Sequence, residues 1–220
     1  MSDIPLLLGH RGARAFTSVP ENSFASFDLA IEHGCDGFEF DVRLTGCGRA
    51  LVCHNPKVRG ITVSRAQAHQ LRELPQLEEV IERYGNRVFL DIELKVRGLE
   101  AKVLAALRSY RPQREYVVSS FIPDVILELK TRSGGVSLGI ICEKATQLAR
   151  WPRLPADSVI AHESLVDEPL IAKVHEAGRR LFTWTVNDRA AMDRAAELGV
   201  EGIISDETEL LVNTLRPKMD

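Results

Sequence analysis

Several short stretches of this 220-residue chain place acids, bases and cations at or near the ends of apolar runs. His10-Arg11-Gly12 closes the first run. Glu39 and Asp41 sit two apart in Phe38-Glu39-Phe40-Asp41-Val42, and Asp91, Glu93 and Lys95 alternate with Ile92 and Leu94 further on. His54, followed by Asn55, ends another stretch. Residues two apart in an extended strand share a face, so each acidic set projects to one side while its apolar neighbours pack on the other. Glu39, Asp41 and Glu93 would repel one another in a protein interior unless a cation compensates them. An all-oxygen ligand set suits a hard ion, Mg²⁺ or Ca²⁺, better than zinc. His10 and His54 are then the natural general acid and base. Arg11 and Lys95 can neutralise an anionic substrate. A divalent metal, two histidines and two cations describe phosphate-ester chemistry. Each stretch alone has an ordinary reading, such as a solvated Glu-x-Lys pair. Their joint placement at strand ends is what carries the argument.

Positioning those residues requires alternating strands and helices. The apolar patterning predicts strands at 6–10, 37–42, 88–94, 116–119, 137–142, 158–161, 180–186 and 202–205. Helices are predicted at 22–32, 77–84, 99–110, 123–130, 146–150, 168–177, 189–198 and 208–215. The second strand continues into a hairpin whose return arm, 50–54, delivers His54. Gly34, Gly85, Gly134, Gly178 and Gly199 mark helix C-termini, and Asp188 and Ser164 mark starts. Eight βα units predict a (β/α)8 TIM barrel, α/β in class, as a single domain over 1–220. An open doubly wound sheet is the competing arrangement. Such barrels typically take ~250 residues, so this one must have short loops.

Hydrophobic residues make up 45% and charged residues 27% of the chain, enough for both a core and a solvated surface. The formal net charge of -3 disfavours nucleic acid as a general partner. The 1–8 segment has no basic region and a short apolar run, so it does not read as a signal peptide. No apolar stretch is long enough to span a bilayer. A cytoplasmic protein without stable membrane insertion is expected. Cys35, Cys47, Cys53 and Cys142 fit no common zinc spacing and are expected as reduced thiols. A Cys47–Cys53 disulfide is disfavoured, because one residue falls in a turn and the other in a strand.

The motifs, taken together, resemble the glycerophosphodiester phosphodiesterase family. His10-Arg11-Gly12 and Pro20-Glu21-Asn22-Ser23 are similar to its H-R-G and P-E-N-T elements. Glu39-Phe40-Asp41-Val42 resembles its E-x-D-V, His54 the histidine of its H-D, and Glu93-Leu94-Lys95 its E-L-K. Trp184-Thr185-Val186-Asn187 and Gly202-Ile203-Ile204-Ser205-Asp206 resemble its W-T-V-N and G-I-I-T-D. The resemblance runs in order over nearly the whole chain. It implies a barrel, one divalent cation on Glu39, Asp41 and Glu93, His10 and His54 as the acid/base pair, and Arg11 and Lys95 on the phosphate. It further implies cleavage of a glycerophosphodiester to sn-glycerol 3-phosphate and an alcohol through a cyclic phosphate, within lipid and glycerol metabolism. Three features depart from the pattern. Asn55 stands where the family has Asp, Ser23 replaces Thr, and the stretch from His54 to Glu93, where members insert a small subdomain, is shortened.

Other readings stay in play. A phospholipase D-like or lyso-phospholipid enzyme would release a cyclic product from the same site, and a non-catalytic barrel would only bind a metabolite. Trp184 is a candidate for the substrate pocket or for barrel packing. Glu21 and Asn22 read first as a helix cap. His162 and Glu163 are secondary candidates at a strand end, while His33, His69 and His175 read as surface residues. The expected partner is a small-molecule phosphodiester, with the protein a monomer or homodimer.

Overall fold

The computed structural model describes residues 4–217; residues 1–3, where the segment judged not to be a leader begins, lie outside it. Eight parallel strands form the barrel: β1 (Leu6–His10), β2 (Gly37–Leu44), β6 (Phe89–Leu94), β7 (Tyr116–Ser120), β8 (Leu138–Cys142), β9 (Ser158–His162), β10 (Arg180–Trp184) and β11 (Gly202–Ser205). Pairing of β1 with both β11 and β2 closes the cylinder, which excludes the open sheet. β3 (Ala50–Val52) returns antiparallel along β2. It is shorter than the expected arm, and Cys53 and His54 follow it as loop, with the Cys53 N–H bonded to the Asp41 carbonyl.

Side-chain alternation builds two layers of core. On β1, Leu7 faces the helices and Leu8 the barrel interior; Leu181 and Phe182 on β10, and Ile203 and Ile204 on β11, split the same way. The interior floor is Leu8, Phe89, Val117, Ile141, Ile160, Phe182 and Ile204, with Phe89 and Phe182 stacked at 5.9 Å. Charged side chains above that floor therefore rest on apolar surface.

The outer ring is α1 (Phe24–Glu32), α2 (Leu77–Tyr84), α3 (Glu100–Tyr110), α4 (Pro123–Arg132), α5 (Ala145–Leu148), α6 (Glu168–Glu176), α7 (Arg189–Leu198) and α8 (Thr208–Leu215). Phe27 of α1 stacks on Phe38 at 4.2 Å, and Tyr84 of α2 meets Phe38 edge-on, so the outward residues of β2 anchor both helices. Asp188 caps α7 as expected, but α6 is capped by Asp167 rather than introduced by Ser164, which lies in the preceding 3-10 turn Glu163–Leu165. Gly34, Gly178 and Gly199 adopt left-handed backbone after their helices; Gly85 and Gly134 do not. The shortened segment after β3 holds the two-stranded ribbon β4 (Lys57–Val58) and β5 (Ile61–Thr62), and two 3-10 turns. Leu51, Cys53, Val63, Ala66 and Leu71 give it a small core of its own. Cys35, Cys53 and Cys142 are buried, and burial pushes the Cys35 thiol up to about 12.

Candidate active site

Register brings the acids together. β2 and β6 pair so that Glu39 lies beside Asp91 and Asp41 beside Glu93, and β1 sets His10 beside Glu39. One oxygen each from Glu39, Asp41 and Glu93 falls within 4.8 Å of the others, and all three residues are buried. A cavity of about 270 Å³ opens above them. His10, Arg11, Glu39, His54, Glu93, Lys95 and Trp184 all line it; Asp41, at 1% exposure, sits just behind its wall.

This cluster carries more negative charge than its surroundings balance. Burial and the neighbouring Asp41 and Glu93 charges hold the Glu39 pKa well above the usual carboxylate range. Burial pushes Glu93 up to about 8 against the pull of Lys95, and Asp91 to about 7 despite the 2.5 Å hydrogen bond it accepts from Ser119. Asp41 alone is lowered: burial opposes this, but Lys95, Arg11 and Asn22 outweigh it. Lys95 Nζ stands 2.7 Å from Glu93 and 3.2 Å from Asp41. Glu39 Oε1 is buried with no hydrogen-bond partner. An unpartnered carboxylate oxygen facing two other carboxylates is the donor arrangement a hard divalent cation completes. The residues present thus fit Mg²⁺ or Ca²⁺.

The His10-Arg11-Gly12 turn is shaped by left-handed backbone at both Arg11 (φ 53°) and Gly12 (φ 82°). A Cβ at Gly12 would come within 2.4 Å of Ser26 Oγ, so only glycine fits against α1. The turn aims the Arg11 N–H at Glu39 Oε2 (3.0 Å) and its carbonyl at the Asn22 N–H (3.0 Å). The Arg11 guanidinium is already engaged, donating to both Glu21 oxygens at 3.0 and 3.1 Å, with Nε 3.2 Å from Asp41.

His10 and His54 are held differently. His10 Nδ1 lies 2.7 Å from Asp206 Oδ1. Burial works against the Asp206 charge, yet the bonds from His10, Asn187 and Arg14 bring its pKa far below the usual range. An ionised Asp206 is an acceptor only, so His10 carries its proton on Nδ1 and presents Nε2, 3.8 Å from Glu39, toward the cavity. His54 Nδ1 faces the neutral Asn55 Oδ1 at 3.1 Å, and burial, with Arg11 and Lys95 nearby, lowers its pKa against the pull of Asp41.

The structure corrects the reading of Glu21 and Asn22 as a helix cap. Ser23 caps α1, accepting from the Ser26 N–H at 3.2 Å, because Asn22 has turned inward (φ 56°) to grip Asp41. The Asn22 amide donates to Asp41 Oδ2 at 2.8 Å and accepts from the Asp41 N–H at 3.1 Å. The sequence set Asp91 on the acidic face and Asp206 in a motif but gave neither a role, and it did not single out Phe121 or Glu143; Asp91, Phe121 and Glu143 line the cavity, and the strand-end rule that singled out His10 also covers Phe121 and Glu143. His162 packs against Trp184 at 5.6 Å outside the cavity, and Glu163 lines a separate cleft beside α6 and α7. His69 and His175 are exposed as expected, whereas His33 is half-buried and bonded to Thr208 at 2.8 Å.

Comparison with known proteins places this arrangement. Residues 10–210 match the model of the glycerophosphoryl diester phosphodiesterase family. A glycerophosphodiester phosphodiesterase of Caldanaerobacter subterraneus is 30% identical, with 96% of this chain and 98% of the relative covered. A glycerophosphodiester phosphodiesterase of Thermotoga maritima superposes with a TM-score of 0.81 at 25% identity, covering 95% of this chain and 97% of that one. An Oleispira antarctica phosphodiesterase, solved in complex with the product sn-glycerol-3-phosphate, has the same fold with a TM-score of 0.83 at 23% identity, each chain 96% covered.

Proposed function

The chain belongs to the glycerophosphoryl diester phosphodiesterase family, and from that premise we propose that it hydrolyses glycerophosphodiesters to sn-glycerol 3-phosphate and an alcohol. The observation that carries this reading is the joining of the Glu39, Asp41 and Glu93 cluster to two histidines in one cavity. Under this proposal the 1–220 chain acts as one domain in the cytoplasm. No helix among the described residues is long and apolar enough to cross a membrane.

Glu39, Asp41 and Glu93 would hold one Mg²⁺ or Ca²⁺, which when bound supplies charge stabilisation to the phosphoryl oxygens. Lys95 and Arg11 add positive potential on the same side. One histidine removes the proton from the glycerol 2-hydroxyl as its oxygen bonds to phosphorus. The other histidine gives a proton to the departing alcohol oxygen as the bond from phosphorus to that oxygen breaks. A cyclic phosphate results. Water then opens the ring with the two histidines exchanging roles, which returns both to their starting protonation states. Asp206 stabilises His10 in the protonated half of this cycle, and Asn55 orients His54 without adding charge. Trp184 lines the cavity opposite the reacting groups.

Phosphorus NMR on glycerophosphocholine and glycerophosphoethanolamine, with Mg²⁺, Ca²⁺ or excess chelator, tests the proposal. The expected result is metal-dependent glycerol 3-phosphate. Accumulation of the cyclic ester would make the protein a lyase. Folded, metal-supplied protein that turns over neither diester would overturn the assignment.

A further inference from the structure

The cavity mouth is chemically divided. The ends of β1, β2 and β6 supply its charged half. Facing them are Phe121 just after β7, Ile141 and Glu143 at the end of β8, Ile160 on β9 and Trp184 ending β10. Phe121 and Trp184 meet edge to face at 5.5 Å and 80°, forming an aromatic corner. Lys95 Nζ already lies over the Phe121 ring, 5.4 Å from its centre, with its charge balanced by Glu93 and Asp41.

Among these five residues of the apolar half, Glu143 alone carries charge. Its backbone N–H donates to Gln147 Oε1 at 2.8 Å, which fixes the residue at the start of α5. Its carboxylate makes no ion pair among the described residues, whereas Asp41 and Glu93 across the cavity each face a cation. The adjacent Lys144 does not line the cavity.

A hydroxyl-rich group set against this wall would give up hydrogen bonds to water and regain few. An alkylammonium group would not: its methyl or methylene surface suits aromatic and branched aliphatic side chains, ring faces attract its charge, and a carboxylate completes the match. We propose that the apolar half of the mouth is the subsite for the departing alcohol, that it takes a cationic amino alcohol, and that Glu143 is the residue that reads the positive charge. This assignment rests on the phosphodiesterase reading and adds to it which alcohol the enzyme prefers.

The test compares glycerophosphocholine with glycerophosphoglycerol, whose departing alcohol is neutral, in wild type and Glu143→Gln. The wild type is expected to favour the choline ester in kcat/KM. Glu143 is exposed, so Glu143→Gln is expected to lower that preference about two- to fivefold, the scale of an exposed cation–carboxylate contact. The loss should fall mainly in KM for the choline ester, and Glu143→Lys should invert the preference. Binding of choline itself, read by saturation-transfer NMR, is measured alongside. Turnover of both esters with an unchanged preference in Glu143→Gln would overturn the subsite and leave the phosphodiesterase intact. Choline bound by wild type and released in the variant, with neither ester hydrolysed, would support the subsite and refute the phosphodiesterase. Neither binding nor turnover would overturn both.

Discussion

Replacing Asp206 by Asn isolates the part played by one charge. The side chains have the same shape, so the Arg14, Asn187 and His10 contacts keep their spacing while the carboxylate is removed. His10 Nδ1 sits 2.7 Å from Asp206 Oδ1, with side-chain exposures of 10% and 13%, so little water screens the pair. Two losses follow. The His10 imidazolium of the protonated half of the cycle is no longer stabilised, and an amide NH2 facing Nδ1 favours the tautomer that turns N–H, not the lone pair, toward the substrate. General acid–base catalysis contributes ~10²–10⁴-fold, so kcat should fall by that factor, about 2.7–5.4 kcal/mol of barrier at 1.36 kcal/mol per decade. KM should move less than about threefold, since Asp206 does not line the cavity. Steady-state hydrolysis of glycerophosphocholine by Asp206→Asn, His10→Ala and the double variant checks this. If Asp206 acts through His10, the second substitution adds little to the first. Full additivity, or a loss of kcat smaller than threefold, would refute the reasoning. Acid stability gives an independent readout. The folded pKa of Asp206 lies below its unfolded value, so its contribution is present above about pH 4 and lost as pH falls through the folded value. Asp206→Asn should therefore flatten the dependence of unfolding on pH below about 4.

Asn22→Ala removes both hydrogen bonds to Asp41 and puts Cβ-bearing alanine at φ 56°, so it should cost about 3 kcal/mol in denaturant unfolding. Asn22→Gly, which keeps the backbone at ease, should cost less, and the difference between the two measures the strain. A Cβ at Gly37 would lie 1.9 Å from the Phe89 carbonyl oxygen, a backbone atom that cannot yield without parting β2 from β6. Gly37→Ala should accordingly lose more than about 3 kcal/mol or fail to accumulate as folded protein, as seen by circular dichroism. Mg²⁺ or Ca²⁺ at about 100 times its dissociation constant should stabilise the protein by ~2.7 kcal/mol, raising Tm by ~5–10 °C; chelator should reverse this, and Glu39→Gln should abolish it.

Strand and helix identity was legible because the apolar alternation is strong wherever a strand is buried on both faces, as in Phe38 to Val42 and Phe89 to Leu94. Boundaries were less legible. α1 begins two residues later than its pattern suggested because Asn22 is used by Asp41 and Ser23 takes over the cap. The carboxylates and both histidines were readable from strand ends alone. Asp206 acquires its meaning only when β11 pairs with β1, 196 residues away from His10, and no local spacing encodes that. Glu143 obeys the strand-end rule but sits beside Lys144, where a surface ion pair is the ordinary reading. Glu21 and Asn22 carry a cap signature that the fold has put to another use.

The seam between β1 and β11 has a consequence for how the protein comes into being. Chain leaves the ribosome from the amino end, so His10, Glu39, Asp41 and Glu93 emerge before the strand that supplies Asp206. Until β11 docks, β1 exposes an unpaired edge, and His10 lacks the carboxylate that sets its proton. The last barrel strand made is thus also the one that arms the first, joining across the longest loop in the cylinder. On the proposed mechanism activity is a property of the finished circle, and a nascent chain carrying Glu39, Asp41, Glu93 and both histidines still cannot exploit them.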